Sequence, residues 1–244
     1  GLGGLLWLLP WFALMPRTQR RARTTETEVA WVRRLLRLPC AWGCFFGHFA
    51  GNYFYYFLLT WMPAYLAGEK KLSITHMSQL TSALFLLIAV SAISAGYITD
   101  ALIARGFSPT HVRRTSVVLG LSTASSLLLL AVVPGSLKFW IAIMCFACLG
   151  YGAYTSNHWA IAQTLAGTSM AGRWSSVQNG IANLSGVAAP WATGVIVQWT
   201  GSARMSFVLT GAIALAGAFS WGLLIRRVEP VDWGTASPTV PIEV

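Results

Sequence analysis

Charge is scarce in this chain of 244 residues. Charged side chains make up 10% of it against 55% hydrophobic ones, and the mean hydropathy is +0.60, a balance that excludes a water-soluble globular domain. Acid is scarcer than base, with 7 Asp and Glu against 17 Lys and Arg and a net charge of +10. Such an excess can mark a nucleic-acid binder, but the basic residues stand in short clusters between long apolar runs and never interleave with aromatics, so no nucleic-acid partner is expected. Cysteine is sparse, and Cys40, Cys44, Cys145 and Cys148 all fall in apolar segments. That placement argues against a disulfide framework and reads as buried small hydrophobes, the Cys145-x-x-Cys148 spacing included. No metal site and no cofactor are expected, because the histidines of the apolar runs lie on different segments without a carboxylate or thiolate near them.

Long apolar runs dominate what remains. About 20 apolar residues cross roughly 30 Å of hydrocarbon, and six segments qualify, near residues 41–66, 78–99, 114–134, 139–165, 175–199 and 205–225. The run Gly1–Met15 is too short to cross, and it lacks the charged start and cleavage site of a signal peptide. It is expected to be the end of a truncated transmembrane helix, followed by a basic linker over residues 16–40, a bundle over 41–225 and a disordered tail over 226–244 rich in proline.

Loop charge orients these spans. Arg17, Arg20, Arg21, Arg23, Arg33, Arg34, Arg37, Arg105, Arg113, Arg114, Arg173, Arg226 and Arg227 fall on one side, against Lys70, Lys71, Lys138 and Arg204 on the other. The richer side is expected to be cytoplasmic, the carboxyl terminus with it. Trp42, Trp61, Trp140, Trp174 and Trp199 lie near span ends, where indole rings favour the interface. Within the linker, Trp31, Leu35, Leu36 and Leu38 beside the arginines suit either an amphipathic segment lying on anionic lipid or a solvated loop.

No Asp, Glu, Lys or Arg lies deep in the six spans, so chemistry inside the membrane must use neutral polar groups and His48 and His158. An enzyme has little to work with, since nucleophile and carboxylate partners are missing. His48, Asn52, Tyr55 and Tyr56 share one helical stripe and Gly43, Gly47 and Gly51 the next, a polar face beside a packing face. The fourth span carries Tyr151, Tyr154, Asn157, His158 and Gln163, with Gly150 and Gly152 expected to let it bend. In the fifth, Asn179 and Asn183 stand four apart, ahead of an expected kink at Pro190. His48, Asn52, Tyr56, Asn157, His158, Asn179 and Asn183 are therefore the substrate-binding candidates, amides suiting hydroxyl or carboxylate ligands. Each amide and imidazole also has a plainer reading, as an interhelical tie that only holds the bundle.

The turn after the second span holds Gly96, Asp100, Arg105, Arg113 and Arg114. Glycine permits close helix contact and the arginines supply breakable ion pairs, so this cluster suits a gate at the mouth of the bundle as well as an ordinary basic loop.

Several long stretches in order resemble one family. They run Asn52-Tyr-Phe-Tyr-Tyr-Phe-Leu-Leu-Thr-Trp-Met-Pro-Ala-Tyr-Leu66, Ala162-Gln-Thr-Leu-Ala-Gly167, Ala171-Gly-Arg-Trp174, and Gln178-Asn-Gly-Ile-Ala-Asn-Leu-Ser-Gly186 closing on Ala189-Pro190. Together they resemble the C-terminal half of a major facilitator superfamily transporter, more narrowly its anion:cation symporter family, which carries sugar acids and other organic anions. The resemblance implies an all-α integral membrane fold, a six-helix C-terminal bundle (helices seven to twelve of twelve), with residues 1–15 the end of helix six. It further implies alternating access against a missing N-terminal six-helix half, an organic-anion substrate, a coupling proton, a monomer and a bacterial inner membrane. The turn from Gly96 to Arg105 resembles the superfamily's cytoplasmic latch, although Ala101 stands where that motif is often basic. An organic-anion exchanger, or a truncated or non-transporting membrane scaffold, are the alternatives.

Overall fold

A computed structural model describes residues 2–14, 25–130, 133 and 136–233. Among these residues the secondary structure is helical and contains no strand. The chain divides into two compact units, Gly1–Leu35 and Leu36–Val244. The first contains α1 (Leu2–Leu6), α2 (Leu8–Leu14) and most of α3 (Thr25–Leu36), whose last turn carries Arg33 and Arg34, a favourable place for cations on the helix dipole.

The second unit holds α4 (Pro39–Gly68), α5 (Ile74–Ala104), α6 (Pro109–Leu130), α7 (Leu137–Asn183), α8 (Ser185–Thr200) and α9 (Arg204–Leu224). Their ends follow local chemistry. Pro39 opens α4 where its missing N–H costs nothing. Ser73 and Ser136 cap α5 and α7, their hydroxyls accepting from the backbone N–H groups of His76 at 3.3 Å and Phe139 at 3.2 Å. Gly201, at φ 68°, closes α8 in the left-handed conformation.

By length and composition, Ile74–Ala104, Leu137–Thr200 and Arg204–Leu224 are apolar enough to cross a membrane, and Leu137–Thr200 has 64 residues, length for two crossings at roughly 1.5 Å per residue. It reverses at Gly167, whose φ of 66° and ψ of 171° lie outside helical space. The near half of α7, the far half continued by α8, and α4, α5, α6 and α9 make six long passes. α7 packs on α5 and α6, α9 on α4 and α6, and α8 on α4.

Close approach at glycine holds these passes together. A Cβ at Gly120 would stand 2.6 Å from the Gly150 carbonyl oxygen, and one at Gly150 2.7 Å from that of Gly120, so α6 and α7 touch backbone to backbone. At Gly152 a Cβ would come within 2.6 Å of the Ile88 carbonyl oxygen on α5. Gly47 receives the Trp221 indole of α9, and Gly51 the Tyr154 phenol of α7. Where lipid tails offer no hydrophobic drive between helices, such contacts supply the association energy. Gly150 and Gly152 are thus packing positions and not the expected bend, which falls at Gly167. Similarly, the helix after Asn183 is interrupted at Leu184, ahead of the expected kink at Pro190.

The segment after α9 also departs from the expected disordered tail as far as Trp233, since its polar groups find partners on the bundle. The Val228 N–H donates to Thr110 Oγ1 at 2.9 Å and the Val231 N–H to the Leu165 carbonyl at 2.9 Å. Trp233 Nε1 donates to the Ala166 carbonyl at 2.8 Å. Leu165 and Ala166 directly precede the Gly167 reversal, which takes away their helical acceptor role, so the segment caps a helix end that would leave carbonyls unpaired. Residues 234–244 lie outside the described residues, as do residues 15–24 of the expected linker.

Candidate functional site

The polar candidates separate into two groups. In the first, the Tyr56 hydroxyl of α4 donates to Asn183 Oδ1 on α7 at 2.7 Å. Asn183 Nδ2 in turn donates to the carbonyl oxygen of Asn179 at 2.8 Å and to its Oδ1 at 3.0 Å. The four-residue spacing makes this possible by stacking the two amides on one helical face. Gly186 admits the phenol, since a Cβ there would stand 3.1 Å from the Tyr56 ring. Asn179 and Asn183 are exposed and Tyr56 is half-buried. Both ends of the Asn183 amide are spent inside the ladder, which leaves the Asn179 nitrogen with no partner among the described residues and aims its donor capacity at open space.

The second group is buried. Trp174 Nε1 donates to Gln178 Oε1 at 2.8 Å, and because an indole can only donate, the other end of that amide, Gln178 Nε2, is the donor to His48 Nδ1 at 3.2 Å. His48 lies 4.6 Å, centroid to centroid, from His158, which stacks on Tyr154 at 4.7 Å with the rings 8° apart. Both imidazoles are 3% exposed. Neither ring nitrogen of His158 has a hydrogen-bond partner among the described residues. Such a group is costly in an apolar interior.

The single stripe read from α4 is therefore divided. His48 turns to the buried aromatic cluster and Tyr56 to the open amides, with the half-buried Asn52 a turn from each. Asn157 joins neither group. Its Nδ2 donates to Ser116 Oγ on α6 at 3.1 Å and to the Ala153 carbonyl at 3.4 Å, the plainer role of an interhelical tie. Trp174, expected at a membrane interface from its place near a span end, is instead fully buried and bonded to Gln178, a motif residue to which the sequence assigns no role. Their four-residue spacing within an apolar run was the available signal.

At the end of the bundle, Arg113 is the junction of the candidate gate. Its Nη2 pairs with Asp100 Oδ1 at 3.4 Å, while Nη1 donates to Thr164 Oγ1 at 3.1 Å and the Ala160 carbonyl at 3.4 Å. One guanidinium so joins α5, α6 and α7. The Arg113 side chain is 20% exposed and that of Asp100 71%, which makes the ion pair a surface contact anchored from one side. Arg114 Nη1 donates to the Ile225 carbonyl at 3.3 Å. Gly96 faces Ser156, where a Cβ would make ordinary contact at 3.6 Å. Arg105 caps α5 through its backbone N–H, with its side chain exposed.

Residues 1–190 match the family described as the Major Facilitator Superfamily. The D-galactonate transporter of Escherichia coli O6:H1 (strain CFT073) is 28% identical over a 253-residue alignment covering 93% of this chain and 58% of that protein. The hexuronate transporter of Bacillus subtilis (strain 168) is 26% identical over 243 residues, covering 93% and 56%. A bacterial homolog of the human lysosomal transporter Spinster, solved inward-facing and unoccupied, superposes with a TM-score of 0.66 at 18% identity, covering 93% of this chain and 57% of that one, and this likeness shows the fold. The chain spans little more than half the length of these relatives. By the family match over residues 1–190 and its apolar helices, the protein is an integral membrane protein and belongs to the Major Facilitator Superfamily.

Proposed function

We propose that this chain is the C-terminal half of a secondary transporter that takes up an organic anion of the sugar-acid class together with protons, by alternating access against a second six-helix half. The names of the relatives support the substrate class, since they include transporters of D-galactonate and hexuronate. The observation that carries the reading is the Tyr56, Asn183 and Asn179 ladder, exposed within an apolar bundle and ending in unspent amide donors. Such donors suit the hydroxyl and carboxylate oxygens of a sugar acid. With no ionised residue deep in its spans, this half supplies orientation, and the charged partners of substrate and proton belong to the other half. Asn52 lies beside the ladder on the same helix. His48 and His158 shape the wall behind it.

In this account the basic side is cytoplasmic, in a bacterial inner membrane, and the complete protein works as a monomer. Residues 41–225 form helices seven to twelve, residues 1–15 end helix six, and residues 16–40 link the halves. Gly96, Asp100, Arg105, Arg113 and Arg114 form the latch that closes the cytoplasmic mouth. An exposed ion pair contributes at most about 1 kcal/mol, so it can break once per cycle at little cost.

The test is uptake by the full-length parent protein carrying Asn179→Leu and Asn183→Leu. Loss of sugar-acid uptake with normal membrane insertion and folding is expected. Normal uptake by that double variant contradicts the assignment of the site.

A further inference from the structure

We propose that the groove between α4 and α9, together with the basic turn that follows α9, binds an anionic phospholipid, with the headgroup phosphate at Arg226 and Arg227 and an acyl chain between the helices. The inference depends on the protein lying in a membrane and not on what it transports.

The turn is built to present its arginines. After Leu224 the backbone leaves the helix, Ile225 taking φ −99° and ψ 94°. Arg114 holds the Ile225 carbonyl at 3.3 Å and Thr110 the Val228 N–H at 2.9 Å, so the two residues between are fixed at both ends by α6. Arg226 and Arg227 are exposed, and among the described residues no hydrogen bond or ion pair engages either side chain. Guanidinium forks left open in this way match phosphate oxygens.

Two hollows meet beside them. A cleft of about 560 Å³ is bordered by Pro39, Cys40, Arg226, Arg227 and Glu229. A second, of about 470 Å³, runs between α4 and α9 past Phe46, Phe49, Ala216 and Phe219 and is almost wholly apolar. Leu223 and Leu224 line both, so the charged cleft and the apolar groove adjoin along the last turn of α9. Each volume falls within the range of small-molecule sites, roughly 300–1,000 Å³.

That shape decides the occupant. A soluble anion would leave the apolar length empty, and an apolar protein segment would leave two guanidinium groups unmatched. A phospholipid fills both parts, and a basic pocket between helix ends is where anionic headgroups bind. Glu229 opposes two arginines at the mouth, leaving a positive balance that favours a net anionic headgroup over a zwitterionic one.

The test is native mass spectrometry of the detergent-purified protein titrated with palmitoyl-oleoyl-phosphatidylglycerol, with the matching phosphatidylcholine and with inorganic phosphate. Phosphatidylglycerol is expected to bind about tenfold more tightly than phosphatidylcholine. The preference should vanish in the variant carrying Arg226→Gln and Arg227→Gln, and inorganic phosphate should not displace the lipid. Ala216→Trp, filling the groove, should weaken phosphatidylglycerol binding with helical circular dichroism unchanged. Leu223→Ser, at a position 71% exposed, probes the shared wall if the tryptophan perturbs folding, and it should weaken binding likewise. Retained preference in the arginine variant, equal binding of the two lipids, displacement by inorganic phosphate, or no effect of either groove substitution overturns the proposal.

Discussion

The hydroxyl of Tyr56 reaches Asn183 Oδ1 across 2.7 Å and so ties α4 to the half of α7 that follows the Gly167 reversal. These residues are 127 positions apart, and the bond sits on the exposed amide face instead of inside the bundle. Tyr56→Phe removes the donor while keeping the ring against Gly186. In the full-length protein it is expected to raise the KM for the transported anion by about fivefold, the worth of one hydrogen bond near 1 kcal/mol, with the thermal midpoint little changed. Radiolabelled uptake beside a melting curve separates the two quantities. A large fall in the midpoint with KM unchanged would assign the bond to stability alone.

Helix association should be more sensitive at Gly47 than anywhere on the polar face. A Cβ there overlaps the Trp221 indole, so Gly47→Val is expected to destabilise the bundle by about 1–3 kcal/mol through overpacking. Gly172 is helical too, yet a Cβ there meets nothing within 4 Å. Gly172→Ala should hold or raise stability by up to about 1 kcal/mol. Thermal unfolding in detergent compares the pair.

At the gate, the two partners of the ion pair should not be equivalent. Asp100→Asn removes an exposed carboxylate and is expected to cost at most about 1 kcal/mol. Arg113→Lys also loses the fork that reaches Thr164 and the Ala160 carbonyl, and a cost of about 1–3 kcal/mol is expected. Parallel melting curves of the two variants test the ordering, which reverses if the carboxylate is the anchor.

The segment after α9 is expected to loosen when its last ring is removed. Trp233→Ala frees the Ala166 carbonyl and removes the ring packed 6.0 Å from Trp174. Hydrogen exchange at the Val228 and Val231 amides should rise by roughly tenfold for each 1.4 kcal/mol lost. Unchanged protection would mean that the backbone bonds to Thr110 and Leu165 hold the segment unaided.

Much of this arrangement is legible in the amino-acid sequence. Helix positions followed from apolar run length, and the pairing of Asn179 with Asn183 from helical spacing, because both are local properties of the chain. The limits fell where a distant element decides. Nothing local distinguishes Gly150, pressed on Gly120, from Gly167, where the backbone reverses, since the first depends on a neighbouring helix and both are only glycine in sequence. Helical spacing puts the polar residues of α4 on one stripe, but its division between His48 and Tyr56 depends on which part of α7 lies opposite each. The composition of segment 226–233 suggests no structure, and its order comes from carbonyls exposed by a break, with Trp233 reaching Ala166 across 67 positions. Asn157 shows the converse, a candidate whose partner, Ser116, could not be foreseen from its own helix.

The most direct measurement is uptake into proteoliposomes by the full-length parent protein, with labelled sugar acids and aromatic acids presented with and without an inward proton gradient. The account predicts gradient-stimulated uptake of a sugar acid that falls sharply in the Asn179→Leu, Asn183→Leu variant. Uptake only in exchange for preloaded anion would contradict proton coupling, and silence across the panel from folded protein would contradict the organic-anion transport reading itself.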